Sequence, residues 1–358
     1  MKHLRRFIKR FLILSFIFSL IGIGVLFGTD YGRELRITAA GSILTSQHPQ
    51  YAKYTFLSQN DMEKLLDSIN NPKWSNSDEG IYKKIAEKKL KELENQPLKV
   101  NVETIESDEN SRFHFKGKLV TISNPFNVKL VTHKGTQGED KGEKISVMAK
   151  RNNALVAVNA SGFSDETGRG GGNVATGIVI ENGKIIDTNH DKDNPTIIAG
   201  LTKFGQMITG NYSASQLVEK QVVSAAGFMP QLIVNGEKMI TKGDGGWGSG
   251  PRSIMAQKKD GAIMFLVIDG RQTHSIGATL KECQDILYEK GAVNAMAMDG
   301  GSSATLYFGG KVRNSPSTLS HKDRFLPNAW VIAPNSKQKV EIKMDGKNLD
   351  VNSLKDLD

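Results

Sequence analysis

The chain opens on a short basic segment and then runs through residues 11–29 without a single charged side chain. At ~1.5 Å per residue, those nineteen positions make a helix of about 28 Å, close to the thickness of a bilayer's hydrocarbon layer. Lys2, Arg5, Arg6, Lys9 and Arg10 all precede the run. Their charge holds the N-terminus in the cytoplasm and places everything after Asp30 outside. The expectation is a single-pass anchor in the cell membrane, with an extracytoplasmic body. A cleaved signal peptide is the competing reading. Phe27-Gly28-Thr29-Asp30 fits a small-x-small cleavage site poorly, and the apolar run exceeds a usual h-region.

Beyond the run, residues 31–97 are polar and rich in helix patterns. Met62, Leu65, Leu66 and Ile69 share one helix face over 61–69, and 81–96 alternates Lys and Glu around Ile81, Ile85, Leu90 and Leu93. This stretch reads as a stalk or cap. From residue 98 the pattern shortens to strands at 128–132, 155–158, 177–180, 231–234, 263–268 and 295–298. Asn182-Gly183 and Asn235-Gly236 are hairpin turns. Ser213 with Gln216, and Thr279 with Glu282, form capping boxes that open two helices, the second stopping at Gly291. On that second helix Leu280, Cys283 and Leu287 share a face, which makes Cys283 a core thiol. The reading is an α+β chain. Residues 1–30 are a basic tip and transmembrane anchor, 31–97 the stalk or cap, 98–335 a mixed-sheet catalytic domain of short strands and a few helices, and 336–358 a polar tail.

Composition removes several classes. One cysteine allows neither a disulfide framework nor a cysteine zinc site. The five basic residues of the tip supply more than half of the net +9, so the charge is no nucleic-acid footprint and no such partner is expected. Asp187, Asn189, Asp191 and Asp193 alternate like a calcium loop. Lys192 and Ile198 stand where such a loop needs Gly and Glu, which leaves a solvated turn.

The chemistry concentrates at strand ends. Leu155 to Asn159 runs into Ala160-Ser161-Gly162; Phe265 to Asp269 runs into Gly270-Arg271; Ala295 to Asp299 runs into Gly300-Gly301-Ser302-Ser303. A carboxylate directly after a buried strand is costly unless it faces a cavity or a partner, and glycines beside it let a ligand reach the backbone. Three such ends point to one shared pocket. Arg252, Arg271 and Arg324 flank them, and guanidinium pairs bidentately with phosphate oxygens. Gly168 to Gly172 lacks the Lys-Ser/Thr of a nucleotide loop, and no Gly-x-Ser-x-Gly elbow serves a serine hydrolase. His133, His190 and His274 read as polar surface residues.

In order and spacing, Gly250-Pro251-Arg252-Ser253, Ile268-Asp269-Gly270-Arg271, Ser275 to Leu280, Gly291 to Ala295, Asp299-Gly300-Gly301-Ser302-Ser303 and Arg324 to Trp330 resemble the phosphodiester glycosidase family. Val158 to Phe163 is similar to its Asn-Gly-Gly-Phe element, with Ala160 and Ser161 where glycines are usual. Ser253 replaces a common Thr, and Ser302 a third Gly. The 37–51 segment resembles membrane-anchored bacterial members associated with envelope or exopolysaccharide polymers.

The resemblance implies hydrolysis of the glycosidic bond of a sugar-1-phosphodiester, with a glycan or sugar phosphodiester as partner and no cofactor. It implies that Asp269 and Asp299 act on the anomeric centre or its water. Arg252, Arg271 and Arg324 hold phosphate, while Asn159, Ser302 and Ser303, with Gly300 and Gly301, position sugar or phosphate oxygens. Two alternatives stay open: a non-catalytic polymer-binding factor in exopolysaccharide assembly, and a phosphodiesterase with a divalent metal between the two aspartates.

Overall fold

The computed structural model describes residues 2–77, 92, 94–135, 141–164, 171–186, 190–336, 338–350 and 354. The helix expected over 81–96 lies almost wholly outside these residues, as do most of the 168–172 glycine run and the 187–189 part of the calcium-like loop. Within that loop, Asp191 accepts from Asp193 N and Asn194 Nδ2 and closes a local turn.

The chain divides into two compact units. The first holds the residues through Asn71 together with Gly246–Gly248. Its leading helix, α1, is Lys2–Gly28, and His3–Gly28 is long and apolar enough to cross a membrane. Thr29 caps the next helix, α2 (Asp30–Leu44), its Oγ1 accepting from Gly32 N while donating to Val25 O. A 3-10 segment, Pro49–Thr55, leads to α3, Gln59–Asn70. Ser58 caps α3, Leu65 is its buried residue, and Arg33 pairs with Asp61 in its first turn.

The second unit, Pro72–Gly245 with Ser249–Asp358, is built on sheets. Among the described residues the largest has nine strands. At its centre Arg252–Lys258 lies between Ala292–Met298 and Ile263–Ile268, antiparallel to both. Lys116–Ile122 and Leu98–Glu106 continue it on one side, Gln231–Val234 on the other. A five-stranded sheet carries Val156–Asn159 between Leu306–Phe308 and Asn328–Ile332. Another joins Val179–Glu181, Val222–Gly227, Thr196–Thr202 and Met207–Tyr212. The three sheets pool their apolar faces in one core: Phe265, Met296 and Met298 meet Val158, Leu306 and Trp330, with Val179 and Met207 from the third sheet. Trp330 Nε1 finds its buried partner in Met298 Sδ at 3.4 Å.

Local signals hold where the sequence marked them. Asn182-Gly183 and Asn235-Gly236 both take positive φ at the two central residues, as a tight hairpin turn demands. Both capping boxes form. Leu280–Glu289 ends at Gly291 with φ +87°. The 336–358 segment expected to be a polar tail instead supplies the strands Val340–Met344 and Lys347–Leu349, the first parallel to Leu98–Glu106. Its alternation is only three residues deep (Val340, Ile342, Met344) and diluted by Lys and Glu.

Cys283 is fully buried on the Leu280–Glu289 helix, and burial pushes its thiol up to about 12. It will therefore resist a thiol reagent in the folded chain and react once unfolded. Cys283→Ala should keep turnover and lower stability by on the order of 1 kcal/mol, read from denaturant melts.

Candidate active site

The two acidic strand ends are fixed by one neighbour. Ile263–Ile268 and Ala292–Met298 both pair antiparallel with Arg252–Lys258, so they run parallel to each other and finish at the same edge. Arg252 pairs with Ile268 and Ser253 with Met298. Asp269 and Asp299 follow immediately, their backbones about 9–10 Å apart across two strand spacings.

The chain turning between these ends is packed backbone to backbone. Gly277 has φ +114°, and a Cβ there would lie 2.4 Å from the Gly250 carbonyl carbon. A Cβ on Gly300 would lie 2.8 Å from Pro251 O, and Gly301 N donates to that same oxygen at 3.0 Å. No side chain fits at these crossings.

Asn159 sews the second sheet to this edge. Its Nδ2 donates to Asp299 O at 2.5 Å, and its Oδ1 accepts from Ser253 Oγ at 2.7 Å and Thr305 N at 3.0 Å. Asp299 N donates to Ala160 O. Expected to contact sugar or phosphate, Asn159 is 1% exposed with its amide engaged by protein, so it positions the site from behind.

Asp299 stands at the centre. Ser303, itself buried, donates to its carboxylate, and Arg324 lies close enough to act on its charge. Oδ2 is buried with no protein donor. Desolvation raises the acid from the ordinary 3.8 to about 6, against the pull of Ser303 and Arg324. Arg324 lies over the Phe163 ring at 4.9 Å and donates Nη1 to Ser302 Oγ at 2.7 Å. Arg271, in the left-handed region at φ +59°, is exposed and carries its guanidinium past Gly301, where a Cβ would sit 3.4 Å from Nη1.

Asp269 is differently placed. Its Oδ1 accepts from Ser315 N at 2.8 Å and Asn314 Nδ2 at 3.2 Å, and its Oδ2 meets His274 Nε2 at 3.2 Å. Asn314 Nδ2 also donates to Ala304 O, which ties Asp269 to the chain just past the Gly301–Ser303 turn. Its carboxylate is spoken for, so it orients its surroundings. Arg252, expected to grip phosphate, is 6% exposed and donates Nε to Ala278 O; burial pulls it down to about 10, still charged at neutral pH. Arg271 and Arg324 are the more accessible cations of the three.

The structure thus pairs Asp299 with Ser303 and Arg324 with Ser302, lays Arg271 beside Gly301, and engages Asn159 and Arg252 with buried protein partners. Sequence reasoning read His274 as a polar surface residue, quoted Phe163 only as part of a family element, and gave Asn314 and Ser315 no role. Among the described residues no three His, Cys, Asp or Glu side chains are grouped to hold a metal ion.

The raised Asp299 acid makes a stability prediction. The folded chain holds that proton more tightly than the unfolded chain, so folding stability falls as pH rises from about 4 through about 6, then levels. Asp299→Asn lacks this loss. Its melting temperature should gain on the wild type across that window and hold the gain at pH 7; parallel melting curves from pH 4 to 7 would contradict the assignment.

Four likenesses bear on this geometry. A family model described as phosphodiester glycosidase matches residues 152–333, just over half the chain. The chain is 30% identical over 189 residues to the SPbeta prophage-derived uncharacterized protein YomE of Bacillus subtilis (strain 168), covering 50% of this chain and 28% of that protein. It is 26% identical over 234 residues to the Bos taurus N-acetylglucosamine-1-phosphodiester alpha-N-acetylglucosaminidase, covering 60% of this chain and 42% of the bovine one. The chain therefore spans less than half the length of either relative. In fold it is similar to the catalytic domain of the zebrafish enzyme of that name, auto-inhibited by its pro-peptide, at TM-score 0.56 and 22% identity, over 66% of this chain and 84% of that one. With the matched segment carrying both acidic strand ends, Arg252, Arg271 and Arg324, the chain belongs to the phosphodiester glycosidase family.

Proposed function

We propose that the chain hydrolyses the bond between C1 of a sugar and the oxygen of a phosphodiester, on a polymer of the cell envelope or exopolysaccharide outside the membrane. The observation that carries this is Asp299: one half-buried carboxylate with a raised acid constant and an orphan oxygen, set among a serine-glycine turn and two accessible arginines. The outside location is supported by the basic flank before α1.

The chemistry follows from the leaving group. A phosphate monoester departs from C1 with little need of proton donation, unlike the alcohol of an ordinary glycoside. Water adds to C1, the C1–O bond breaks, and its electron pair stays on the phosphate oxygen. Asp299 takes the water's proton, and an acid constant near 6 makes it a stronger base than an exposed aspartate while leaving it ionised at neutral pH. Arg271 and Arg324 neutralise the phosphate, with Ser302 beside Arg324. Gly301, with no Cβ, leaves room beside it for the Arg271 guanidinium. Asp269 meets His274 Nε2 at 3.2 Å and orients that ring beside the strand end. No metal enters this account: Asp269 Oδ1 accepts from Asn314 Nδ2 and Ser315 N, and Oδ2 meets His274 Nε2.

On a panel of sugar-1-phosphodiesters, Asp299→Asn should lower kcat on the order of 10²–10⁴-fold in folded protein. Arg271→Lys should raise KM more than it lowers kcat, since it keeps charge and loses the fork. Wild-type kcat/KM should rise with pH through about 6, and Ser303→Ala should move that limb upward by removing a hydrogen bond to the carboxylate. EDTA should leave the rate unchanged. Normal turnover in Asp299→Asn would overturn the assignment.

A further inference from the structure

The first unit carries a set of exposed rings that the catalytic account does not use. Tyr51, Tyr54 and Phe56 are 51%, 61% and 66% exposed, in and just after the Pro49–Thr55 segment. Tyr51 and Tyr54 stack at 6.2 Å, His48 lies against Tyr51 at 5.9 Å, and Lys53 Nζ lies 5.1 Å from the Tyr54 ring centre. In water such a cluster exposes apolar surface for no return.

Its position gives the reason. Phe27, the penultimate residue of α1, meets the Phe56 ring edge-on with centroids 6.1 Å apart. Arg36 on α2 lies over Phe27 at 4.9 Å, and donates Nη1 to Phe56 O at 2.6 Å and Nε to Leu26 O at 3.2 Å. Phe56 takes a left-handed backbone, φ +52°, unusual for a bulky residue. A segment some thirty residues beyond the end of α1 is thus bonded back to α1's last turn. These bonds also make α1 part of the unit's own structure, which favours a retained span over a cleaved leader.

We infer that residues 48–56 form a second membrane contact, lying in the headgroup layer of the leaflet where α1 emerges. This rests on reading α1 as a membrane span. Any bilayer that covers α1 reaches Phe27, and each headgroup layer is roughly 5–7 Å deep. Phe56, at ring-contact distance from Phe27, falls within it. Tyrosines with a neighbouring lysine are the side chains that such a layer favours, rings among the headgroups and the ammonium beside lipid phosphate. The chain leaving the membrane is therefore laid along the surface before it enters α3.

The test uses the full chain with Cys283→Ala and Tyr54→Cys, labelled with an environment-sensitive fluorophore. It is reconstituted in phosphatidylcholine–phosphatidylglycerol vesicles that contain spin-labelled lipids. Blue-shifted emission is expected, quenched more strongly by headgroup-level spin labels than by labels deep in the chains. Tyr51→Ser with Phe56→Ser should abolish the quenching while the protein still floats with the vesicles. Water-like, unquenched emission from floating protein would overturn the second contact and leave the span intact. Protein that does not float, or whose purified N-terminus begins after residue 30, would overturn the span and the contact together. As a check free of the cysteine changes, a photo-crosslinking amino acid at position 54 of the otherwise unaltered chain should attach to lipid; recovery of adducts to protein alone would contradict the proposal.

Discussion

Everything at the proposed site depends on backbones that touch with no side chain between them. The Arg252–Lys258 strand enters the large sheet through Gly250-Pro251, and that dipeptide is crossed by Gly277 on one side and by Gly300-Gly301 on the other. A Cβ at Gly277 would come within 2.4 Å of its neighbour's carbonyl carbon. This packing brings the 299–303 turn and the 269–277 loop against the same strand end. It lets Arg271 lie across Gly301 and leaves Asp299 facing inward instead of out to solvent. The hydrogen bonds of Asn159 then lock the Val156–Asn159 strand to Asp299 and Ser253.

From that geometry the two aspartates acquire different roles. They end parallel strands two places apart in one sheet and look equivalent in sequence. Asp269 is met by the Ser315 amide, the Asn314 amide group and His274, so its charge is spent on holding a loop and an imidazole. Asp299 has one hydroxyl from Ser303, a nearby guanidinium and an oxygen with no donor. In the proposed mechanism it is environment, not residue type, that separates an orienting carboxylate from a reactive one.

Much of this was legible in the chain because the signals are local. An apolar strand followed by one acid and then glycine marked both Asp269 and Asp299. Capping boxes, Asn-Gly turns and the shared face of Leu280, Cys283 and Leu287 need only a few neighbouring residues to be read. What stayed hidden is decided by distant partners. The engagement of Asp269 Oδ1 comes from residues 45 and 46 positions away, and that of Asn159 from residues 94 to 146 positions away. Arg252–Lys258 escaped notice as a strand because Arg252 and Gln257 break its apolar run. Gln257 is buried only because Gly205, Gly261 and Met207 satisfy its amide. Val340–Met344 was lost to its lysines, and its place beside Leu98–Glu106 is set by a pairing more than two hundred residues apart.

The central claim is that water attacks carbon, not phosphorus. Turnover of a sugar-1-phosphodiester in ¹⁸O-labelled water, followed by phosphorus NMR and mass spectrometry of both products, decides it. The account predicts the label on C1 of the released sugar and a phosphate monoester whose phosphorus resonance shows no isotope shift. Label in the phosphate, with its accompanying upfield shift, would mean P–O cleavage and would contradict the account.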